Sequence, residues 1–240
     1  MTYLECLVLV CLLGCAFAEI EKNELLTPCK VSDLDCIRSS TQLFLERTAH
    51  GISKYDIRPI DPMHLDSVDY EFSTETGVKH HLKNVTVTGL KNLIVSDLKM
   101  TTEAQITMNL DIVAHTDIIA EFTKEKKTFN GHYTISGKGV AIATYQYSVT
   151  QKDGVDWFTV GEAKYEYHIE DVPTIKLDDT LLKELENDIE TTDTRKAVLE
   201  HREEFTKLSL RKILEAAVPT LIHNLKRASH ILPKSAFFIE

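Results

Sequence analysis

The stretch RKAVLEHREEFTKLSLRKILEAAVPTLIHNLKRAS, Arg195 to Ser229, decides the fold. Within it Leu210, Ile213, Leu214, Ala217, Val218, Leu221, Ile222 and Leu225 recur three or four apart, the spacing that collects side chains on one broad helical stripe. Asp193 or Thr194 can cap the start, the helix formers Arg195, Lys196, Ala197, Leu199 and Glu200 follow, and Pro233 lies beyond the end. The spacing predicts one long helix over 195–229, spanning about 50 Å at roughly 1.5 Å per residue. Such a stripe needs cover along its whole length. Pro219 has no amide hydrogen and crowds the preceding turn, so a kink or local break is expected there.

The cover comes from upstream. Between Val68 and Leu177 the apolar period changes to two: Ile106, Met108, Leu110 and Ile112 alternate with Thr107, Asn109 and Asp111, and Tyr145, Tyr147 and Val149 alternate with Gln146 and Ser148. Turn dipeptides at Thr76-Gly77, Thr88-Gly89, Asn130-Gly131 and Asp153-Gly154 mark an antiparallel meander, the last two being strong hairpin signals. Little interrupts Glu103 to Phe122, and strands that long twist and coil. A sheet apolar on one face and a helix with an apolar stripe bury each other. The expected fold is therefore α+β, a long helix wrapped by a highly curved antiparallel sheet, with open ends where apolar walls make a ligand cavity. Gly137, Gly139, Ala141 and Ala143 leave room along one strand, for close helix packing or for a pocket wall.

Before the meander, Ser32-Asp33 can cap a helix from Leu34 to Gly51 whose face is Ile37, Thr41, Phe44, Leu45 and Thr48. The prolines of Tyr55–Pro62 favour an extended, stiff segment after it. The first residues differ in character: an apolar run from Cys6 to Leu13 precedes Ala16-Phe17-Ala18, so 1–18 reads as a secretory signal and 19–240 as a single domain. The apolar run is too short for a membrane anchor. After cleavage only Cys29 and Cys36 remain, and in a secreted chain they most simply form one local disulfide, since a zinc site lacks its other two ligands.

The net charge of −10 becomes about −9 without Glu5, and no dense Lys/Arg block offsets it. This argues against nucleic acid and anionic membranes as partners and against stable membrane insertion. Asn84-Val85-Thr86 is a glycosylation sequon in a strand-like segment. No enzyme motif emerges: Ser136-Gly137-Lys138-Gly139 is not a nucleophile elbow, and no zinc-protease histidine pattern is present. His80 and His81 would point to opposite faces of a strand, so they read as a solvated pair and not as a metal site. No cofactor is expected.

The runs KYDIRPIDP (54–62), KNVTVTGL (83–90) and 91–100, the Pro28-Cys29 to Cys36 spacing, and the C-terminal His223-Asn224-Leu225 and Ile231-Leu232-Pro233 to Ala236-Phe237-Phe238 together resemble the haemolymph juvenile hormone binding proteins of moths and the wider takeout family of insects. The resemblance covers essentially the whole mature chain. It implies a tubular lipid-binding fold and a secreted, monomeric carrier of juvenile hormone, with the hormone in an apolar pocket at the disulfide end. The first helix, with Ile37 and Phe44 on its face, would gate that pocket. Tyr145 best matches the tyrosine that meets the ligand's epoxide, with Tyr147 beside it and Tyr133 the next strand tyrosine to consider. Phe237 and Phe238 match the tail that closes the pocket. The chain departs from close relatives where they carry a second cysteine pair, near Tyr167 and Arg211 here. The alternatives are a takeout-like carrier of a fatty acid or another terpenoid, and a lipid-transfer protein on the same plan. The acidic surface and the absence of a basic apolar tip speak against the transfer protein. On residue types alone Tyr145 would be a core aromatic bonded to a backbone carbonyl.

Overall fold

A computed structural model describes residues 24–72 and 77–239, so the signal peptide expected over 1–18 and Thr76 of the first turn dipeptide lie outside the described residues. In chain order the elements are strand β1 (Cys29–Lys30), helix α1 (Leu34–Arg47), strands β2 (Met63–Glu71), β3 (Val78–Thr88), β4 (Ile94–Met100), β5 (Glu103–Phe122), β6 (Lys127–Lys152), β7 (Val155–His168) and β8 (Thr174–Leu177), helices α2 (Asp179–Asn187), α3 (Thr192–Glu200) and α4 (Arg202–Ile231), and strand β9 (Phe238–Ile239).

One seven-stranded sheet runs β2-β3-β5-β6-β7, all antiparallel. β5 and β6 are each longer than the strands along their outer edges, so β4 pairs with the first part of β5 ahead of β3, and β8 pairs with β6 ahead of β7. Burial alternates along all of β5: every second residue from Ala104 to Phe122 is buried. That is the period-two face expected from the sequence, and α4 lies against it. α4 touches β6 and also β2 and β7, the two outer strands of the sheet. From β2 the Tyr70 hydroxyl meets Ser209 Oγ at 2.8 Å, and from β7 Tyr167 comes close enough to feel the charges of Arg211 and Glu215. A sheet whose two edges both reach one helix is curled around it without closing.

The helix itself differs from expectation in two ways. It is not one element from residue 195: α3 ends at Glu200, and the backbone at His201 (φ −105°, ψ 27°) interrupts it before α4 starts. Residues 200–204 (EHREE) carry no apolar side chain to anchor that turn to the core. Conversely, α4 runs through Pro219 without a break. Leu214, Ala217, Val218 and Leu221 on either side are fully buried, and their packing holds the turn that lacks one backbone bond.

Turn chemistry divides likewise. Asp153 (φ 53°) and Gly154 (φ 78°) make the tight β6–β7 hairpin, both in the left-handed conformation that this turn demands. Asn130-Gly131, by contrast, lies inside β6, paired with Ile119 and Ile118. Gly131 answers packing: a Cβ there would stand 2.6 Å from Leu181 Cβ of α2.

At the N-terminal side, Asp33 caps α1 by accepting from the Cys36 amide at 3.0 Å. α1 ends at Arg47, one turn earlier than expected, and Gly51 lies in the turn that follows. Cys29 and Cys36 are disulfide-bonded. β1 pairs in parallel with β9, joining this end to the C-terminus. Closing so short a loop limits the unfolded chain by about 2.5 kcal/mol. The Cys29→Ser, Cys36→Ser double variant is expected to melt about 5–10 °C lower by calorimetry. A shift below 1 °C would show that β1–β9 pairing and the Ser40 bonds to Thr27 already order the segment.

Candidate ligand-binding site

The tube has two ends. Tyr133 and Tyr145 both lie on β6, 12 residues and therefore roughly 40 Å apart along the strand.

At the disulfide end the structure gathers Ile37, Tyr145, Tyr147, Phe237 and Phe238. Ile37 of α1 packs with Leu98, Cys29 and Phe238. Phe158 of β7 is the hub of the aromatic cluster, with ring centroids 5.7 Å from Phe237, 5.0 Å from Phe238 and 6.0 Å from Tyr147. The Cys29 amide donates to Phe237 O at 2.9 Å, fixing the tail next to the disulfide. Phe44 is fully buried in the main core.

Tyr145 sits between alanines: Ala104 on β5 and Ala163 on β7 are its cross-strand partners. No described residue hydrogen-bonds its hydroxyl, unlike that of Tyr147, which donates to Thr101 O at 3.0 Å. The carbonyl-bonded core aromatic expected from residue types alone is therefore not found. Burial, reinforced by the nearby Tyr147, pushes the Tyr145 phenol up to about 12, so it remains a neutral donor.

The far end holds a partly open apolar cavity of about 690 Å³ between β3, β5, β6, β8 and helices α2, α3 and α4, with Tyr133 in its wall. Beside Tyr133, Tyr70 and Ser209 form a hydroxyl pair, and Ser209 donates to Phe205 O at 2.8 Å. His80 stands in the same wall. It is not the solvated residue expected from the sequence: it is 6% exposed and stacks on Tyr70 with ring centroids 5.1 Å apart. Its neighbour His81 does face outward, toward Asp69 and Glu121. Among the described residues there is no cluster of side chains suited to a metal ion, and no helix is long and apolar enough to cross a membrane.

The model of the haemolymph juvenile hormone binding protein family matches residues 6–192. The chain belongs to that family. It is 34% identical over 226 residues to the juvenile hormone-binding protein of Manduca sexta, covering 92% of this chain and 98% of that protein. The crystal structure of Takeout 1 from Epiphyas postvittana superposes with a TM-score of 0.73 at 18% identity, over 89% of this chain and 99% of that one, which shows the shared tubular α+β fold.

In this member of the juvenile hormone binding protein family the signature runs bind one another. Asn224 of α4 accepts from the Arg58 amide at 2.9 Å and donates to Arg58 O at 2.8 Å. Arg227 reaches Asp56 at 3.2 Å, and His223 approaches Asp56 O at 3.2 Å. The buried Asp61 accepts from the amides of Gly89 and Lys91, each at 3.0 Å. The segment 54–62 is thus a clamp joining helix to sheet, which explains why it is recognisable without lining a cavity. Burial raises the Tyr167 phenol, Tyr165 and Glu215 add to the shift and Arg211 opposes it, so Tyr167 of β7 and the charged pair of α4 lie close together without a covalent link.

Sequence reasoning missed Phe158 and misread His80. Phe158 stands opposite Val149 on β6, and only that register makes it the hub of the aromatic cluster.

Proposed function

We propose that this protein is a secreted carrier of juvenile hormone or a close terpenoid ester, held at the disulfide end by burial and by one hydrogen bond from the Tyr145 hydroxyl. The observation that carries this reading is the Tyr145 phenol: neutral, without a partner, flanked by Ala104 and Ala163, and next to Tyr147, whose ring joins the C-terminal aromatics through Phe158. A ligand oxygen placed there would satisfy it. The family relationship supports the ligand class, since the similar Manduca sexta protein is a juvenile hormone-binding protein.

The chemistry is burial without a covalent step. Removing about 300 Å² of apolar surface from water contributes on the order of 7 kcal/mol, partly offset by association entropy. The remaining selectivity comes from the Tyr145 hydroxyl, which the bound ligand would cover and an epoxide-free analogue would leave unpaired. In this proposal Ile37 and Phe44 belong to the gating helix, Tyr147, Phe237 and Phe238 to the closing aromatics, and the mature chain 19–240 acts as one monomeric domain. Asn84 is proposed as a glycan site: it is exposed at a bulge in β3, and its Nδ2 donates to Asp117 at 2.7 Å, leaving its other hydrogen replaceable.

Tyr145→Phe is expected to weaken hormone binding about tenfold with an unchanged melting temperature. The check is a competition assay with juvenile hormone, its epoxide-free analogue and a fatty acid. Equal retention of all three by the parent protein would replace the hormone reading with a generic apolar carrier. Unchanged hormone affinity in the variant would remove Tyr145 from the site, and hydrolysis of the ester would make the protein an enzyme.

A further inference from the structure

We infer that the outer side of the clamp, where α4 meets the segment 54–62, is a docking surface for a sulfated polysaccharide. The chain has a net charge of −10 and no dense basic block in its sequence, yet the fold assembles a basic patch from two distant segments. Residues 216–239 hold Lys226, Arg227 and Lys234 and no Asp or Glu, and residues 47–60 hold Arg47, Lys54 and Arg58 against Asp56 alone. The hydrogen bonds between Arg58 and Asn224, 166 residues apart, bring the two segments together.

His223, Lys226, Arg227 and His230 follow one another at three, four and seven residues, so they form one stripe about 10 Å long on α4. Arg58, bonded to Asn224 through its backbone, is exposed beside that stripe. Arg227 is tied to the clamp through Tyr55 O at 3.3 Å and Asp56 at 3.2 Å. The positive charge of the patch is otherwise uncompensated. Among the described residues neither the Arg58 nor the Lys226 side chain has an ion-pair or hydrogen-bond partner, whereas Lys207, Arg211 and Lys212, earlier on the same helix, each meet a glutamate one turn away. His230 feels the result: partial burial first, and then Arg227, Lys226 and His223, hold its imidazole below the usual value. The helix dipole favours cations in the last turn, but that turn holds His230 alone, and Arg58 is not on the helix.

The arrangement defines its partner. Guanidinium and ammonium groups set along a straight stripe, with imidazole donors between them, suit a stiff chain that repeats sulfate groups. An anionic membrane would also need apolar side chains to enter its interface. Of the large apolar side chains that are exposed, Ile239 alone comes from either segment. The acidic remainder of the surface repels a polyanion, which confines contact to this patch. The choice of an extracellular sugar over nucleic acid rests on the secretion of the mature chain proposed above.

The test uses the full secreted chain without hormone and a heparin octasaccharide as probe. Desulfated octasaccharide, phosphatidylserine vesicles and a short DNA duplex serve as comparisons, all read by titration calorimetry. Heparin is expected to bind and to weaken about tenfold between about 50 and about 150 mM NaCl. Arg58→Ala and Lys226→Ala remove side chains that make none of the clamp's bonds. Each should weaken the octasaccharide about fivefold and reduce the salt dependence by roughly one charge. Asp56→Asn should act in the opposite direction, binding about threefold tighter, because the one local carboxylate is gone and asparagine tolerates the left-handed backbone there (φ 55°). A clamp that had merely loosened would not gain affinity. Lys138→Ala, which removes an exposed cation from the outer face of β6, should bind like the parent. No binding by the parent, equal binding of the desulfated sugar, full affinity in either patch variant, or tighter binding of vesicles or DNA would each overturn the inference. Because no hormone is present in the measurement, failure of Tyr145→Phe to weaken hormone binding would sink the hormone site and leave this surface standing.

Discussion

The double variant Gly137→Val, Gly139→Val is expected to melt roughly 10 °C below the parent protein, the product of about 4 kcal/mol and 2–4 °C per kcal/mol for a domain of this size. Both glycines lie on β6 under α4. A Cβ at Gly139 would stand 2.7 Å from Leu214 Cδ1 and 3.1 Å from Ile169 Cδ1. At Gly137 it would stand 2.8 Å from Leu210 Cδ2 and 3.0 Å from Pro173 Cβ. These are mostly the far ends of flexible side chains, so alanine can be absorbed by small shifts. The branched valine cannot, because Leu210 and Leu214 are themselves fully buried and have nowhere to move. Valine suits a strand better than glycine, a gain of up to about 1 kcal/mol per site, but overpacking a filled core costs about 1–3 kcal/mol or more at each and wins. Scanning calorimetry decides the matter: a drop below 2 °C would mean that α4 is not pressed onto β6 at these positions.

Acid is expected to destabilise the protein through His80, by about 3 kcal/mol between pH 6.5 and pH 4. Burial lowers this imidazole from 6.5 to about 4, with the charge of adjacent His81 adding to the shift. The sign follows from proton counting. Above pH 6.5 the residue is neutral in both states and contributes no slope. As pH falls below 6.5 the unfolded chain takes up a proton that the folded protein refuses until about pH 4, so stability is lost across that window. In His80→Phe the ring remains against Tyr70 and Phe205, but the titration is gone, so the difference in unfolding free energy between variant and parent should grow by about 3 kcal/mol in the variant's favour on acidification. Asp117, Asp178, Asp188 and Glu215, all held below their usual carboxylate range, lose their own contributions at lower pH in both proteins and cancel in the difference. Urea unfolding at pH 7 and pH 4.5 measures it. Parallel pH dependence would show that His80 is charged or solvated in the fold.

Most of the architecture was legible because it rests on periodicity, and periodicity is a property of the chain. The alternation from Ile106 to Ile112 continues as buried positions through all of β5, and the stripe from Leu210 to Ile222 is the buried face of α4. Asp153-Gly154 turned as expected, since two residues with positive φ are enough to make that hairpin wherever they occur. Asn130-Gly131 carried the same signal and did not turn. There the glycine answered α2, an element some 50 residues away in sequence whose approach no local pattern records. The helix break at His201 and the helix's continuity through Pro219 have a common cause: a turn without apolar side chains is released, and a turn surrounded by fully buried ones is held.

The candidate site was legible in part. Tyr145, Tyr147, Ile37, Phe237 and Phe238 came together at one end, as the resemblance implied, but Phe44 joined the main core and Tyr133 the opposite end. Phe158 escaped notice because a single phenylalanine on a strand has no distinguishing pattern until its register is known. His80 was misassigned because alternation says that neighbouring side chains face opposite ways without saying which one faces in. What the sequence by itself determined was the class of fold, the partnership of helix and sheet, the disulfide and the family, all carried by spacing along the chain. Which polar atoms end up buried without partners, and at which end of the tube the apolar cavity lies, was decided only when both edges of the sheet met the same helix, because burial is set by what packs from across the molecule.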